Sequence, residues 1–386
     1  MFASPWGPLM LTLKEVSTSG YRSLRAITYP VGELEVFVGA NGVGKTNLYR
    51  GLELLQAAAA NRLGLVLARE GLASAFWAGT RRHGSPARMK FAATLADASA
   101  TTRFSYEVEV GFPAQPAGAF GREPQIKSEV LTTSSGARTI RLVDRQGASV
   151  MARGDDGRPT EVNIDLLGSE TVLGRLQDPG KYPAMDAVRR TLLEWRFYHD
   201  FRTDEASPLR RPCVAVASPT LASAGANLAA VFATLSKIRE DTTDLDQVVA
   251  NAFPGAQLVI DPPDESATFG MSFAEFPRRV FAPAELSDGT LRFLALAGAL
   301  MAYRLPPFIA LNEPESSLHP DLMAPLADLI VRAGKRTQVW LVTHSERLAE
   351  LVGRSDGAEI RRVLKKDGAT WIDGLKLFGA YGDEDD

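Results

Sequence analysis

The chain has 386 residues, of which 45% are hydrophobic, and its formal net charge is −3. This length accommodates two domains, or one domain with a large insertion, and the small net charge excludes a global attraction to nucleic acid. A DNA-binding surface would therefore have to be a local patch. Cys213 is the only cysteine, which excludes an internal disulfide and is typical of a reducing compartment. Because it lacks an apolar run of membrane-spanning length and a signal-peptide pattern, we expect a cytoplasmic protein with no membrane partner.

The first predicted elements lead into a loop rich in glycine. Two short strands, 11–16 and 24–29, precede a buried strand at 34–38, and the loop GANGVGKT follows at 39–46. The loop fits the phosphate-binding pattern G-x-x-x-x-G-K-[ST] at every fixed position, and a helix rich in Leu and Ala is predicted over 47–60. Glycines let consecutive backbone N–H groups face one anion, and the helix N-terminus adds partial positive charge. The pattern therefore predicts a site for a nucleoside triphosphate.

Two side chains of this loop have predicted roles. Lys45 is expected to reach the β- and γ-phosphates, and the Thr46 hydroxyl is expected to bind Mg²⁺. The alternative is a glycine-rich turn that matches the pattern by chance, and the flanking strand and helix disfavour it.

Strand-like segments dominate the next part of the chain. After a helical stretch at 62–75, they are predicted at 89–95, 104–112, 125–132 and 139–145. Clusters of Gly, Pro and Ser separate these segments, as is typical of turns between strands. We therefore predict an antiparallel sheet built onto the nucleotide-binding core, with 10–164 as the N-terminal half of this domain.

The middle of the chain predicts mostly helices. They are expected at 170–176, 183–194, 227–239 and 244–253, with an extended segment at 195–201. We interpret 165–265 as a mainly helical insertion lobe. Because no segment sustains apolar heptads over several repeats, a long coiled-coil arm is not expected.

The last part of the chain, 266–386, returns to alternating strands and helices. Short apolar strands are predicted at 308–311 and 339–343, with a helix between them at 320–333. Such alternation favours an α/β core with a largely parallel sheet.

Two of these C-terminal strands end in residues that predict chemistry. FIALNE, at 308–313, is an apolar strand that ends in a carboxylate, so Glu313 is the candidate base that polarises water for attack on a γ-phosphate. LVTHS, at 341–345, ends another buried strand in His344, which is expected to contact the γ-phosphate or to position the water. The alternative is a structural role, which is the commoner one for a lone histidine.

A third feature precedes a predicted helix. LSDGT, at 286–290, places Ser287 where it would make a good N-cap. Alternatively, Ser287 and the N–H groups near Gly289 meet a γ-phosphate at the N-terminus of that helix.

Together these stretches resemble the ABC-type ATPases of the RecF/SMC kind, and in particular the stand-alone ATPases related to the OLD family. The phosphate loop has the GxNGxGKT form of that group, and LSDGTLRFLALAGAL (286–300) resembles its signature motif. LNEPESSLHP (311–320) resembles its second acidic motif and D-loop, and LVTHS resembles its histidine switch. The resemblance covers about 10–60 and 281–346. It implies an ABC-type P-loop ATPase head of the α/β class, here with an antiparallel β subdomain and a mainly helical insertion.

By position, the resemblance also implies the ligands, ATP and Mg²⁺, and the residues that bind them. The nucleotide-binding residues would be Gly39, Asn41, Gly42, Gly44, Lys45, Thr46 and Asn47, with Thr46 and Asn312 at the metal and Glu313, His344 and Lys45 in catalysis. In this group two heads sandwich two ATP molecules, which implies an ATP-dependent homodimer. Ser287 and Gly289 would then cap the nucleotide of the second protomer, and 316–319 would lie at the dimer interface.

Two departures from the family pattern change these expectations. The residue before Glu313 is normally an aspartate that anchors Mg²⁺ through water, and here it is Asn312. Because a neutral amide contributes no charge, weaker Mg²⁺ binding and slow turnover are expected, unless Glu315 compensates. Relatives of the OLD type carry a C-terminal Toprim nuclease domain, whereas this chain ends at Asp386, too soon after His344 for another domain. We therefore expect that this chain does not cut DNA by itself.

A local basic cluster is the candidate DNA-binding patch. It consists of Arg81, Arg82, Arg88 and Lys90. Contacts to the phosphates of duplex DNA need positive charge and no base reading. The alternative is a solvated face that nearby acidic residues balance.

The leading hypothesis is an ATP-hydrolysing, dimerising head whose nucleotide state switches the binding of duplex DNA or a partner protein, in DNA repair or phage defence. The alternative is a nucleotide-sensing module that hydrolyses ATP slowly or not at all and regulates a separately encoded effector such as a nuclease. An ATPase subunit of a membrane transporter is disfavoured, because the long insertions and the GxNGxGKT and LSDGT forms are unlike such subunits.

Overall fold

The computed structural model describes residues 11–80, 86–113, 120–239, 243–261, 264–376 and 379. Contacts within the chain separate two compact units. Unit 1 comprises 1–32, 39–195 and 361–386, and unit 2 comprises 33–38 and 196–360. Each unit is therefore assembled from segments that are distant in the sequence.

The secondary-structure elements are numbered in chain order. The strands are β1 (Thr12–Tyr21), β2 (Leu24–Pro30), β3 (Leu34–Val38), β4 (Arg88–Ala96), β5 (Thr102–Gly111), β6 (Gln125–Ser135), β7 (Arg138–Gln146), β8 (Ser149–Arg153), β9 (Pro159–Glu161), β10 (Arg196–Tyr198), β11 (Cys213–Val214), β12 (Ala256–Val259), β13 (Ser266–Ala267), β14 (Gly270–Phe273), β15 (Val280–Phe281), β16 (Phe308–Asn312), β17 (Gln338–Thr343), β18 (Ala358–Lys366) and β19 (Ala369–Ile372). The helices are α1 (Lys45–Ala59), α2 (Leu63–Glu70), α3 (Leu72–Ala75), α4 (Val172–Arg175), α5 (Pro183–Glu194), α6 (Leu228–Arg239), α7 (Thr243–Ala252), α8 (Asp288–Met301), α9 (Met323–Gly334) and α10 (Glu346–Val352). Short 3-10 helices occur at Pro208–Arg210, Pro283–Glu285 and Pro320–Leu322.

Unit 1 is built on an antiparallel sheet in the order β2-β1-β4-β5-β6-β7-β8-β9. Strands β4 and β5 alternate between buried and partly exposed side chains, as expected where one face of a sheet packs on a core. Helix α1 packs against β1 and β4. The predicted antiparallel sheet is confirmed. Strands β8 and β9 extend it beyond the prediction, because β9 is short and fully exposed and therefore lacks an apolar pattern.

The helix that follows the phosphate loop is anchored at its far end. The Gln56 Nε2 donates to the backbone oxygen of Trp195 at 2.8 Å, and the Thr171 Oγ1 donates to the Ala58 oxygen at 2.6 Å. These bonds tie the C-terminal end of α1 to the segments around Thr171 and Trp195 within unit 1.

Unit 2 contains the predicted parallel sheet, in which β10, β16, β17 and β3 lie side by side in that order. Every residue of β3, β16 and β17 is buried, as is typical of parallel strands covered on both faces. Helix α8 is buried from Leu291 to Met301 and belongs to the same apolar core. A helix that is apolar all round is expected in such a position. The prediction of an α/β core with parallel strands is confirmed.

The predicted insertion lobe, 165–265, does not stand apart in this division. Its first part, up to Trp195, belongs to unit 1, and the remainder belongs to unit 2. Strand β10 lies within this segment and pairs with β16 as part of the parallel sheet. The sequence predicted an extended segment at 195–201, which contains β10, but the pairing of β10 with β16 joins distant parts of the chain and was not predicted.

The part of the chain that the structure describes contains no helix that is both long and apolar enough to cross a bilayer.

Candidate functional site

The phosphate loop curls around the side chain of Lys45. The Lys45 Nζ donates to the backbone oxygens of Gly39 at 2.6 Å and Ala40 at 2.8 Å, and the lysine is 4% exposed. Gly44 precedes α1 with a φ of 99°, a left-handed conformation that favours glycine. The outer residues of the loop, Asn41, Gly42 and Thr46, are exposed. The loop therefore has the backbone shape and the ammonium group that bind phosphate elsewhere.

A network of neutral polar groups holds the loop from within unit 1. The Thr370 Oγ1, on β19, donates to the Val43 oxygen at 2.8 Å and lies 2.6 Å from the Ser23 Oγ. The Asn47 Nδ2, in the first turn of α1, donates to the same Ser23 Oγ at 2.6 Å. A backbone hydrogen bond of 2.8 Å from the Thr370 nitrogen to the Ser23 oxygen closes the network. Asn47, predicted to bind nucleotide, therefore also secures the base of the loop.

This network explains why glycine is required at position 44. A Cβ at Gly44 would overlap the Thr370 Oγ1 and would lie 2.5 Å from the Ser23 Oγ. The sequence indicates neither Ser23 nor Thr370, because each lies outside the motif and a Ser in a turn or a Thr in a strand is an ordinary residue. Only the pairing of β18 with β19, and the hydrogen bond of β19 to the turn between β1 and β2, brings them together.

The second candidate region is the edge of the parallel sheet in unit 2. His199 follows β10, Asn312 ends β16 and Thr343 ends β17. The register pairs Tyr198 with Leu311 and Asn312 with Val342, so these polar residues lie at the carboxyl ends of neighbouring strands. Ligands of open α/β sheets bind outside the carboxyl ends of the strands. The predicted residues Asn312, Glu313 and His344 are thus brought together at one edge.

Glu313 has a strained backbone and a partly exposed side chain. Its φ is 49°, which is uncommon for a residue with a side chain and typical of functional sites. Its nitrogen donates to the Val342 oxygen at 2.8 Å, which fixes it beside β17. Its Oε2 lies 3.8 Å from the His344 Nδ1, and its side chain is 33% exposed. A carboxylate held in this way can accept a proton from water.

Glu315 orients the histidine. Its Oε1 accepts hydrogen bonds from the Thr343 hydroxyl and from the His344 nitrogen at 3.1 Å, and lies 3.3 Å from the His344 Nδ1. Because Nδ1 faces two carboxylates, the tautomer with its proton on Nδ1 is favoured, which leaves Nε2 as an acceptor when the ring is neutral. From the sequence, Glu315 was expected to compensate for the missing charge of Asn312 at the metal. The structure places its carboxylate against the end of β17.

Asn312 is bound on one side and unsatisfied on the other. Its Nδ2 donates to the His199 Nδ1, while its Oδ1 is buried and has no hydrogen-bond partner among the described residues. Mg²⁺ prefers oxygen ligands and keeps several waters and phosphate oxygens, so a free amide oxygen at this position fits this ion. Within the described residues, no group of three or more His, Cys, Asp or Glu side chains forms a metal cage. His199 was missed in the sequence, because it lies inside the predicted extended segment 195–201 and not at its end.

The signature segment begins helix α8 as an N-cap. The Ser287 Oγ accepts from the Thr290 nitrogen at 3.2 Å and lies 2.8 Å from the Thr290 hydroxyl. Ser287 is nevertheless exposed, so its hydroxyl is accessible to a ligand. A Cβ on Gly289 would lie 3.2 Å from the Ser317 oxygen, which brings the start of α8 against the predicted D-loop of the same chain. The N-cap interpretation is confirmed, and it leaves the phosphate-binding interpretation open.

The candidate DNA-binding patch is only partly described. Arg81 and Arg82 lie outside the described residues. Arg88 pairs with Glu109 at 3.0 Å and Lys90 pairs with Glu107 at 2.9 Å, each across the β4–β5 ladder. Since both cations already have carboxylate partners, they provide less free positive charge than the sequence suggests.

Comparisons with known proteins agree with this geometry. The family described as "AAA domain, putative AbiEii toxin, Type IV TA system" matches residues 35–150 and 161–350. The head of Smc, solved in complex with the C-terminal winged-helix domain of ScpA, is similar over 95% of this chain and 98% of its own, with 16% identity and a TM-score of 0.56. A second Smc head with an extended coiled coil, bound to the C-terminal domain of ScpA and derived from Pyrococcus furiosus, covers 95% of this chain and 97% of its own, with 14% identity and a TM-score of 0.51. No curated protein matches the chain. The predicted fold class, an ABC-type P-loop ATPase head, is confirmed.

Proposed function

The chain belongs to the AAA domain family of ATPases. We propose that it binds ATP together with Mg²⁺ and hydrolyses the ATP to ADP and phosphate. The observation that carries this proposal is the conformation of the phosphate loop, in which Gly44 is left-handed and the Lys45 ammonium is enclosed by loop carbonyls. Such a loop at a helix N-terminus is suited to bind the phosphates of a nucleotide.

Each polar group has a role in this proposal. Lys45 and the loop N–H groups bind the phosphates, and the Thr46 hydroxyl and Asn312 Oδ1 would hold Mg²⁺, which neutralises phosphate charge when bound. Glu313 accepts the proton of the attacking water. His344, oriented by Glu315, positions that water through the acceptor nitrogen Nε2.

The proposal includes an ATP-dependent homodimer. The support is that Ser287 is exposed at the N-terminus of α8, a helix of 14 residues, where an anion bound by another protomer would be stabilised. Ser287 and Gly289 would contact the nucleotide of the second protomer, and 316–319 would lie at the interface.

The output of the nucleotide cycle is proposed to be the binding of duplex DNA or of a partner protein. The solved Smc heads are bound to domains of ScpA, which supports a partner protein, while the paired Arg88 and Lys90 lend little support to DNA. The matched family's description refers to a toxin of a type IV toxin–antitoxin system, which supports a role in defence rather than in DNA repair.

Asn312 favours a second function, a sensor that holds ATP and turns it over slowly. A buried amide in place of a carboxylate contributes no charge to a metal site. In this case, the ATP-bound protein would itself be the signal to a separately encoded effector, such as a nuclease.

The test is steady-state ATP turnover measured over a series of protein concentrations, with and without linear duplex DNA. Specific activity that rises with protein concentration supports the dimeric ATPase, and a further rise with DNA identifies DNA as the output. Slow turnover that is independent of both supports the sensor. Undetectable binding of ATP would contradict both functions.

A further inference from the structure

The loop at 283–288, which leads into helix α8, is held by hydrogen bonds from one arginine, Arg210. The Arg210 Nη1 donates to the backbone oxygens of Pro283 at 3.2 Å, Ala284 at 3.0 Å and Leu286 at 2.9 Å. Its Nη2 donates to the Asp288 Oδ1 at 2.6 Å. Its Nε donates to the Thr203 oxygen at 2.7 Å, so all three nitrogens of the guanidinium are engaged.

The position of these partners makes Arg210 specific to the signature segment. The three carbonyls and the carboxylate lie on both sides of Ser287 in the sequence, and Ser287 itself is exposed. The Arg210 side chain is 13% exposed, whereas that of Asp288 is 62% exposed. The arginine therefore lies behind the loop and leaves the Ser287 hydroxyl on the solvent side.

The chemistry of the guanidinium explains why an arginine is needed here. Its five N–H donors form a rigid planar fork, so they can bind several carbonyls and a carboxylate in one fixed arrangement. A lysine ammonium is a single point with rotatable donors, and it would bind Asp288 without fixing the carbonyls.

A second contact closes the loop from its other side. The Glu285 carboxylate accepts from the Ala282 nitrogen at 2.9 Å and from the Arg279 guanidinium. The Ala282 N–H, followed by Arg279, lowers the pKa of the Glu285 carboxyl, so this contact is present at neutral pH. The loop is therefore pre-formed without any ligand.

We propose that Arg210 is a positioning residue for the nucleotide of a second protomer, because it holds the 283–288 loop so that Ser287 faces outward. This inference rests on the proposed ATP-dependent homodimer. A pre-formed loop loses less conformational freedom when the second protomer binds, and dimerisation is therefore tighter.

The chain contains a matched control for this residue. Arg211 is the next residue, has the same charge and is exposed. The experiment uses the full chain carrying Glu313→Gln, which preserves bound ATP, and adds Arg210→Ala, Arg210→Lys, Arg211→Ala or Ser287→Arg. Sedimentation velocity over a concentration series with ATP and Mg²⁺ measures dimerisation. Binding of a fluorescent ATP analogue to dilute, monomeric protein, together with Tm, reports on the phosphate loop and on folding.

We expect Arg210→Ala to weaken ATP-dependent dimerisation roughly tenfold or more, because several charge-assisted hydrogen bonds are lost, while Arg211→Ala has no effect. Arg210→Ala should also lower the Tm, because these hydrogen bonds are intramolecular, but monomeric ATP affinity should match that of Arg211→Ala, which a general loss of folding would not allow. Arg210→Lys should recover part of the loss.

Two outcomes would overturn the inference. If Ser287→Arg prevents dimerisation and Arg210→Ala dimerises like Arg211→Ala, Arg210 does not position the loop, although the proposed dimer stands. If the Glu313→Gln parent forms no dimer with ATP, the proposed dimer is wrong and the inference is wrong with it. Should Arg210→Ala prove unfolded, Arg210→Lys decides by the same comparison: dimerisation equal to that of Arg211→Ala contradicts the inference.

Discussion

The phosphate loop in unit 1 and the strand-end edge in unit 2 are supported by opposite kinds of chemistry. Behind the loop lie two hydroxyls and an amide, from Ser23, Thr370 and Asn47. At the strand-end edge, the buried carboxylate of Glu315 holds His344, and His199 holds Asn312.

This difference agrees with what each region would bind in the proposed function. A polyphosphate carries several negative charges, so a carboxylate behind the loop would repel it, whereas hydroxyls and amides position the backbone without adding charge. The activation of water needs a base, here the proposed Glu313 carboxylate, and a partly exposed base is effective only when its surroundings fix its position. Neutral support suits an anion site, and charged support suits a proton-transfer site.

The largest effect is expected on the rate of hydrolysis, from a substitution of Glu313 at the strand-end edge. Glu313→Gln should lower the rate of phosphate release roughly 10²–10⁴-fold, because the amide cannot accept a proton from water. Binding of ATP should remain. The measurement is phosphate release in a single turnover, and Glu350→Gln on the exposed face of α10 is the control. Unchanged turnover would show that the base is another group.

The next largest effect is expected in the phosphate loop, where a substitution should weaken the binding of ATP. Lys45→Ala removes charge-assisted hydrogen bonds to the phosphates and should weaken ATP affinity roughly 100-fold. Equilibrium binding of a fluorescent ATP analogue measures this effect, with the exposed Lys14→Ala as the control. A loss of turnover with unchanged affinity would reverse the roles assigned to the two regions.

A carboxylate at position 312 tests whether the strand-end edge binds Mg²⁺. Asn312→Asp should lower the Mg²⁺ concentration needed for half-maximal nucleotide binding about tenfold, because a carboxylate attracts the ion more strongly than an amide. It should also lower the Tm of the free protein, since the residue is 1% exposed and a buried charge is costly, and Mg²⁺ with ATP should restore it.

The exposed Asn251→Asp on α7 is the control for this change. A Tm that is lowered equally with and without Mg²⁺ and ATP would mean that position 312 does not face the metal.

The smallest expected effect tests the neutral support of the loop. Thr370→Val removes a hydroxyl that bonds to Val43 and Ser23, and it should cost about 1 kcal/mol of stability and a few-fold in ATP affinity. Thermal unfolding and ATP binding measure the two effects. Thr370→Ser keeps the hydroxyl and should behave as the unmodified protein. A loss in Thr370→Ser as large as that in Thr370→Val would show that the hydroxyl does not account for the effect.

The sequence was informative wherever one short stretch has to meet a backbone requirement. Gly44 needs a left-handed φ, and the loop needs a strand before it and a helix after it, so a local pattern was sufficient. The same holds for Glu313, His344 and Ser287, which end strands or begin a helix. Residue type and local position together carried these predictions.

The supports of the site were not visible in this way. Thr370 contacts Val43 across 327 positions of the chain, and His199 contacts Asn312 across 113 positions. A serine, threonine or histidine at such places has no local pattern that separates it from an ordinary residue. The sequence predicted the extended segment that contains β10, but it did not show that this strand pairs with β16, which is 113 residues away in the chain.

The sequence by itself determined the phosphate loop, the acidic and histidine strand ends, the signature segment and the α/β class, because each depends on local backbone geometry. The tertiary structure decided which residues hold these groups: Arg210 behind the signature loop, Glu315 beside His344, and Ser23 with Thr370 behind Gly44. These contacts form only when sheet pairing and loop packing bring distant segments together. Hydrogen bonds between distant residues depend on that geometry, and a local pattern does not encode it.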